Sequence, residues 1–158
     1  MQLTALRVKN IRTLADCPLE FADGITLLTG DIGTGKTSAA LALQVALIGG
    51  GGAQLDGLLR WGATKGKASL SFTRKHSYVL SRCLFRQGGR VKQGEVRLVR
   101  RGERKSLKVW SATEAHEHLF TTMMGFEVPY SRRHDAFQHV FAVPQEGMRS
   151  IIDERPKE

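Results

Sequence analysis

Cysteine is scarce: the 158 residues include two, Cys17 and Cys83, far apart and without CxxC spacing. That excludes a disulfide scaffold, a cysteine-ligated zinc site and a dithiol redox pair, and predicts two reduced, structural thiols. Long apolar runs are lacking too. No stretch approaches the roughly 20 residues that a membrane span needs, and the opening MQLTALRVKN has no unbroken apolar stretch of the signal-peptide kind. The expectation is a soluble, cytoplasmic protein with no membrane partner. Acid is in deficit as well, with 15 Asp+Glu against 24 Lys+Arg and a net charge of +9. The rest of the composition, 41% hydrophobic and 25% charged, is that of an ordinary globular chain, long enough for one domain with a proper core.

The charge excess is concentrated. Residues 82 to 108 carry Arg82, Arg86, Arg90, Lys92, Arg97, Arg100, Arg101, Arg104, Lys105 and Lys108 against Glu95 and Glu103. Such a cluster favours a polyanion, because neutralising phosphates dominates affinities of this kind. The plain alternative is a solvated basic surface. Arg97, Arg100, Arg101, Arg104 and Lys105 are the candidate DNA contacts within it.

Residues 3 to 8 read as a strand, and the continuous apolar run Ile25, Thr26, Leu27, Leu28, Thr29 reads as a buried one, separated by a turn-prone stretch from Asp16 to Gly24. TSAALALQVALI, after Lys36, is apolar nearly all round, which predicts an internal helix, ended by a mobile loop over Gly49 to Gly52. Ala68, Leu70 and Phe72 alternate with Ser69, Ser71 and Thr73, and further strand-like pieces follow at Tyr78 to Phe85 and Glu95 to Arg100. Antiparallel hairpins turning at Gln87–Arg90 and Arg101–Glu103 fit this pattern. Ser111 with Glu114 predicts a capping-box helix closed by Gly125, in which His116 and His118 are surface residues and Met123 and Met124 core fillers. Val140 to Val143 is one more expected strand.

The strongest chemistry is Gly30-Asp31-Ile32-Gly33-Thr34-Gly35-Lys36-Thr37, a complete GxxxxGK pattern followed by threonine, set between an expected strand and an expected helix. Glycines let the backbone amides close around a phosphate at the positive end of the helix. Lys36 would reach β- and γ-phosphates, and the Thr37 hydroxyl would ligate Mg²⁺. Hydrolysis also needs an apolar strand ending in an acid. Ser150-Ile151-Ile152-Asp153-Glu154 imitates one, but only two apolar residues precede Asp153. The chain reads as nucleotide-binding equipment without its catalytic half.

From Leu6-Arg7-Val8-Lys9-Asn10-Ile11-Arg12, through Glu20-Phe21 and Gly24-Ile25 to the Gly30–Thr37 loop, the sequence resembles the N-terminus of the SMC-like, ABC-type ATPases of DNA repair, the SbcC and Rad-fifty type. Arg60-Trp61-Gly62-Ala63, the basic hairpins, the Ser111 helix and Val140–Gln145 follow in that family's order. The resemblance implies an α/β P-loop NTPase fold: the N-terminal lobe of an ABC-type head, a mixed sheet around the loop's helix plus antiparallel hairpins. Residues 1–158 would form that lobe, with a coiled coil beginning near or after residue 150 and the C-terminal lobe elsewhere. It implies ATP and Mg²⁺ as cofactors, with ATP held by Arg12, Gly30, Ile32, Gly33, Thr34, Gly35, Lys36, Thr37 and Ser38, and with Ala63 and Thr64 near the adenine. Trp61 would stack there or simply pack. Gln145 would join Thr37 on the metal. Implied partners are the C-terminal lobe, a second head, double-stranded DNA ends and an SbcD or Mre-eleven type nuclease. Two other readings are an SMC-type architectural ATPase, which entraps DNA without a nuclease, and a small P-loop kinase.

Overall fold

Period-two alternation builds the frame. In a computed structural model describing residues 1–50, 53–102, 108–125, 127 and 129–132, the alternating segments become long strands. They are β1 (Gln2–Ile11), β2 (Leu14–Glu20), β3 (Lys65–Arg74), β4 (His76–Gln87), β5 (Arg90–Arg100) and β6 (Lys108–Trp110). They pair in the order β2-β1-β3-β4-β5-β6, and every pairing among the described residues is antiparallel. The connection from β2 to β3 carries the glycine-rich loop, α1 (Lys36–Ile48) and the short α2 (Ala53–Asp56). It passes over β1, and so lays α1 on one face of the sheet.

That inner face is the core. Leu6 and Val8, then Ala68, Leu70 and Phe72, then Leu80 and Leu84, then Val96 and Leu98 are buried on successive strands. Ala42, Val45, Ala46 and Ile48 of α1 close over them, joined by Leu55, Leu58 and Leu59. Full burial of a side chain the size of leucine or phenylalanine contributes about 1.5–3 kcal/mol, so this face decides the strand register. The expected capping box is present at α3 (Ala112–Glu117). The Ser111 hydroxyl accepts from the Glu114 N–H at 3.2 Å, and the Glu114 carboxylate accepts from the Ser111 N–H at 2.9 Å. The helix continues as a π-helical turn over His118–Met124, closed by Gly125 at φ 78°. No helix among the described residues is long and apolar enough to cross a membrane.

Four expectations are corrected. The stretch from Asp16 to Gly24 is not all turn, since Leu14–Glu20 forms an edge strand; Pro18 is tolerated there because, among the described residues, only one side of β2 is paired. Residues 25–29 form no strand, and Ile25 and Leu27 are 93% and 79% exposed. A strand exists only beside a neighbour, and none lies alongside it among the described residues; the strand expected over 140–143 is itself outside them. Gly49 and Gly50 are packed rather than loose: Gly49 ends α1 at φ 77°, its N–H bonding to Val45, and Gln93 stands where a side chain on it would go. His116 is buried, its ring stacked on Phe120 at 4.3 Å, because one helical turn brings the two together over the core.

Gly66 is where β3 passes the end of β1. A Cβ there would lie 2.8 Å from Leu59 and 2.9 Å from the carbonyl oxygen of Asn10. Gly66→Ala should cost about 1–3 kcal/mol, the range for overpacking, read as a lower urea midpoint at unchanged slope.

Candidate functional site

Glycine makes the loop possible. Gly30, Gly33 and Gly35 have φ values of 144°, 88° and 102°, a region closed to most side chains. Gly35 is the N-cap of α1, and the first helical bond runs from the Ala39 N–H to the Gly35 carbonyl at 2.8 Å. The amides of Lys36, Thr37 and Ser38 therefore have no acceptor within the helix. The loop is braced from inside. Thr34 donates its hydroxyl to the Asp31 carbonyl at 2.8 Å, and the Lys36 ammonium donates to the carbonyls of Gly30 and Asp31 at 2.7 and 2.8 Å. Lysine is thus folded back over the loop, and a phosphate would compete with those two carbonyls for the same protons.

The tip of the β1–β2 hairpin seats the loop. Thr13 Oγ1 is 3.0 Å from Ser38 Oγ, and a Cβ on Gly35 would meet Leu14 at 2.8 Å and Thr13 Oγ1 at 3.1 Å. Thr13 therefore touches the residues on either side of Lys36 and Thr37. Its neighbour Arg12 is exposed, held at φ 48°, with its N–H bonded to the Leu58 carbonyl at 2.7 Å. A second tie comes from Arg60, whose guanidinium donates to the Thr13 carbonyl at 2.7 Å. The turn that Arg60 opens is closed by the Ala63 N–H to the Arg60 carbonyl at 3.0 Å and leaves Trp61 97% exposed. Thr64, also exposed, accepts the Arg86 N–H at 2.9 Å.

The structure therefore brings the loop, Arg12 and the Trp61–Ala63 turn together. Thr37 is exposed at the helix start, and Ile32 projects fully into solvent. Ser38 differs: its side chain is buried against Thr13, so only its backbone amide faces the cradle side. For ATP the open glycine turn, the ammonium and the helix amides fit a triphosphate. For Mg²⁺ the described residues supply one expected ligand, the Thr37 hydroxyl, since Gln145 lies outside them, as do Arg104, Lys105 and the segment 150–154. Sequence reasoning missed Thr13, Leu14 and Arg60. Their only signal was position, between two strands and just before Trp61.

The candidate DNA contacts lie elsewhere. Arg97 is on the sheet's outer face, its guanidinium 2.8 Å from Glu95. Arg100 is half-buried and bonds to the His76 ring, while Arg101 is exposed in the turn. Arg82, counted in the basic cluster, is fully buried and belongs to the interior. The outer face gathers cations that the linear cluster omitted. Lys9 and Lys67 stand directly opposite across β1 and β3, while Arg7, Ser69, Ser81 and Arg97 form one row across four strands. Asp16 bonds to Arg7 at 3.2 Å and pairs with Lys9 at 3.5 Å. The Arg7 hydrogen bond holds its carboxyl below the usual carboxylate range.

Thr13→Val keeps the shape of the hairpin tip but strands the buried Ser38 hydroxyl. The expected cost is about 1–2 kcal/mol, measured as a lower urea midpoint, with faster amide exchange at the start of α1.

Comparison with known proteins agrees with this geometry. A solved structure described as "Structural biochemistry of ATP-driven dimerization and DNA stimulated activation of SMC ATPases" superposes with a TM-score of 0.73, at 16% identity, over 99% of this chain and 93% of the other. No curated protein matches the sequence. The likeness is one of fold, an α/β arrangement of the P-loop NTPase kind. A family model described as "AAA domain" matches residues 5–154, and the chain belongs to that family.

Proposed function

We propose that this protein is the nucleotide-binding lobe of an SMC-like, ABC-type ATPase head that binds Mg²⁺-ATP, pairs with a second head and acts on double-stranded DNA. The observation that carries the reading is the Gly30–Thr37 loop. Its glycines, the ammonium of Lys36 and the amides opening α1 converge where a β- and γ-phosphate would lie. Arg12, beside it on the hairpin tip, supplies a cation for the same nucleotide, and Gln145 would join Thr37 on the metal. When bound, the nucleotide supplies a phosphoanhydride, and the metal neutralises its oxygens. The chain's own part is to hold and orient the phosphates, because the acid strand and the signature motif are assigned to the C-terminal lobe. Turnover by this chain alone should accordingly be minimal.

The exposed apolar run Ile25, Leu27 and Leu28 favours a neighbouring lobe, since it is the surface a companion strand would cover. The solved structure described above concerns ATP-driven dimerisation and DNA-stimulated activation of SMC ATPases, which favours heads that close on ATP. We read the finer type as SbcC or Rad-fifty, with a partner nuclease of the SbcD or Mre-eleven type. The same likeness favours the architectural SMC reading equally. Either way DNA would meet the outer face of the sheet around Lys9, Lys67 and Arg97, together with Arg100, Arg101, Arg104 and Lys105. Phosphate contacts of this kind carry little sequence preference.

Lys36→Ala should weaken Mg²⁺-ATP binding about 10- to 100-fold in an equilibrium titration, the value of charge-assisted hydrogen bonds lost from a phosphate; unchanged affinity would refute the site. Gln145→Ala should leave ATP affinity intact and weaken Mg²⁺-dependent pairing of heads, seen by sedimentation in a head rebuilt from both lobes.

The outer face is tested by the salt dependence of binding to a DNA duplex. Lys67→Glu with Arg97→Glu should lower affinity and flatten the slope of log K against log salt, and a slope equal to the wild type would place DNA elsewhere. Asp16→Asn should have the opposite effect. Because the folded-state pKa of Asp16 is lowered, its pairing with Arg7 is complete above the ordinary carboxylate range and is lost as pH falls through that lowered pKa. Duplex affinity should rise as pH falls through that window, and Asp16→Asn should remove the rise.

A further inference from the structure

The interior holds a guanidinium that the nucleotide reading does not use. Arg82 is the bulkiest of the fully buried side chains described, set in β4 between Leu80 and Leu84 on the face that α1 covers. Removing this charge from water is costly unless every part of it finds a strong partner. Its Nε donates to the Ala46 carbonyl and its Nη2 to the Leu47 carbonyl, both at 2.9 Å. Those carbonyls lie in the last turn of α1, where the helix has no basic residue of its own. The sheet thus delivers to the negative end of the helix the cation that the helix lacks.

A second grip lies beside the first. Gln93 Oε1 accepts the Gly50 N–H at 3.2 Å. Arg82 pairs with Val96 and Leu84 with Gln93, so both grips flank the register shift between β4 and β5. The far end of α1 is the phosphate loop. At 1.5 Å per residue, the 13-residue helix is a stiff rod of about 20 Å. The buried face of α1 carries the small Ala39, Ala42 and Ala46 beside the larger Val45, Leu47 and Ile48, so apolar packing seats the helix on the sheet and the two-pronged grip adds directional bonds at its end.

We propose that Arg82 is a positioning residue for the phosphate loop: by holding the Ala46 and Leu47 carbonyls it fixes the axial setting and rotation of α1, and with them the places of Gly35, Lys36 and Thr37. The effect on ligand affinity rests on reading the loop as a nucleotide site, whereas the effect on α1 does not. Gln93 supports the same end. Neither side chain touches the nucleotide, and both act through the helix.

The test uses the full chain with Arg82→Lys, which keeps the charge but not the planar two-pronged grip, alongside Arg82→Met and Gln93→Leu. Mg²⁺-ATP affinity is measured by titration at a temperature where each variant is folded, and amide hydrogen exchange is followed residue by residue. Arg82→Lys should weaken ATP binding about tenfold and speed exchange across residues 33–48 while β1 and β3 keep wild-type protection. Gln93→Leu should show the same pattern with a change of about threefold. Should Arg82→Met fail to fold, Arg82→Lys alone decides. Wild-type affinity with wild-type exchange over 33–48 overturns the proposal, and so does faster exchange spread evenly over the sheet, which marks a residue serving global stability only. If the wild type itself binds no nucleotide, the phosphate-site reading falls, and the exchange pattern still decides what Arg82 does.

Discussion

The structure depends on one contact, the seating of α1 across the inner face of the antiparallel sheet. Most of what the loop offers a ligand is backbone geometry, amides opening a helix and glycines at positive φ, with the Lys36 ammonium folded over both. Backbone groups cannot be aimed by choosing a rotamer. They are aimed only by placing the helix that carries them, so a hydrophobic interface of alanines, Val45 and Ile48 sets the geometry of a polar site that it does not touch. The hairpin tip at Thr13 performs at the N-terminal end what Arg82 performs at the other, so one end is tied to the β1–β2 turn and the other to β4 of the same sheet.

Charge follows the same logic of faces. Because a strand alternates sides, one sheet can present leucines to the helix and cations to solvent from adjacent residues. Lys9 and Lys67 meet directly across a strand pair, an arrangement that repels unless an anion or a carboxylate intervenes. Asp16 intervenes for Lys9, and Ser69 and Ser81 share a hydrogen bond at 3.0 Å in the middle of the next row. A small-residue strip bordered by cations is suited to phosphates spaced along a backbone. Repulsion across that strip is offset by the apolar burial on the opposite side of the same strands.

What was legible in the sequence was what is local. The loop could be read because its chemistry is contained in eight consecutive residues. The strands from Lys65 to Arg100 could be read because alternation leaves a period in the sequence, and the α3 start because a capping box spans four positions. Segment 25–29 could not, since an apolar run states only that burial is needed and not which neighbour provides it. Arg82 and His116 failed for a related reason. Residue type argues for the surface, and only the arrival of a helix end at Arg82, or of Phe120 over His116, reverses that preference. The edge strand β2 was hidden by Pro18, which would be disqualifying in a central strand and is harmless in an edge one.

A single residue in β5 connects these observations. Between Arg82–Val96 and Leu84–Gln93 the partner strand advances two positions while β5 advances three, the mark of a bulge at Gly94 and Glu95. Without the extra residue, alternation from Val91 and Gln93 would carry Glu95 and Arg97 to the inner face and expel Val96 and Leu98. The bulge lets Gln93 face Gly50 at the helix end while Arg97 still emerges on the outer face with Glu95. The glycine in the middle of an otherwise strand-like run was the sequence's only trace of it. The placement of cations outside and of a helix clasp inside thus rests on the same one-residue shift, and β5 cannot lose it without exchanging the two faces.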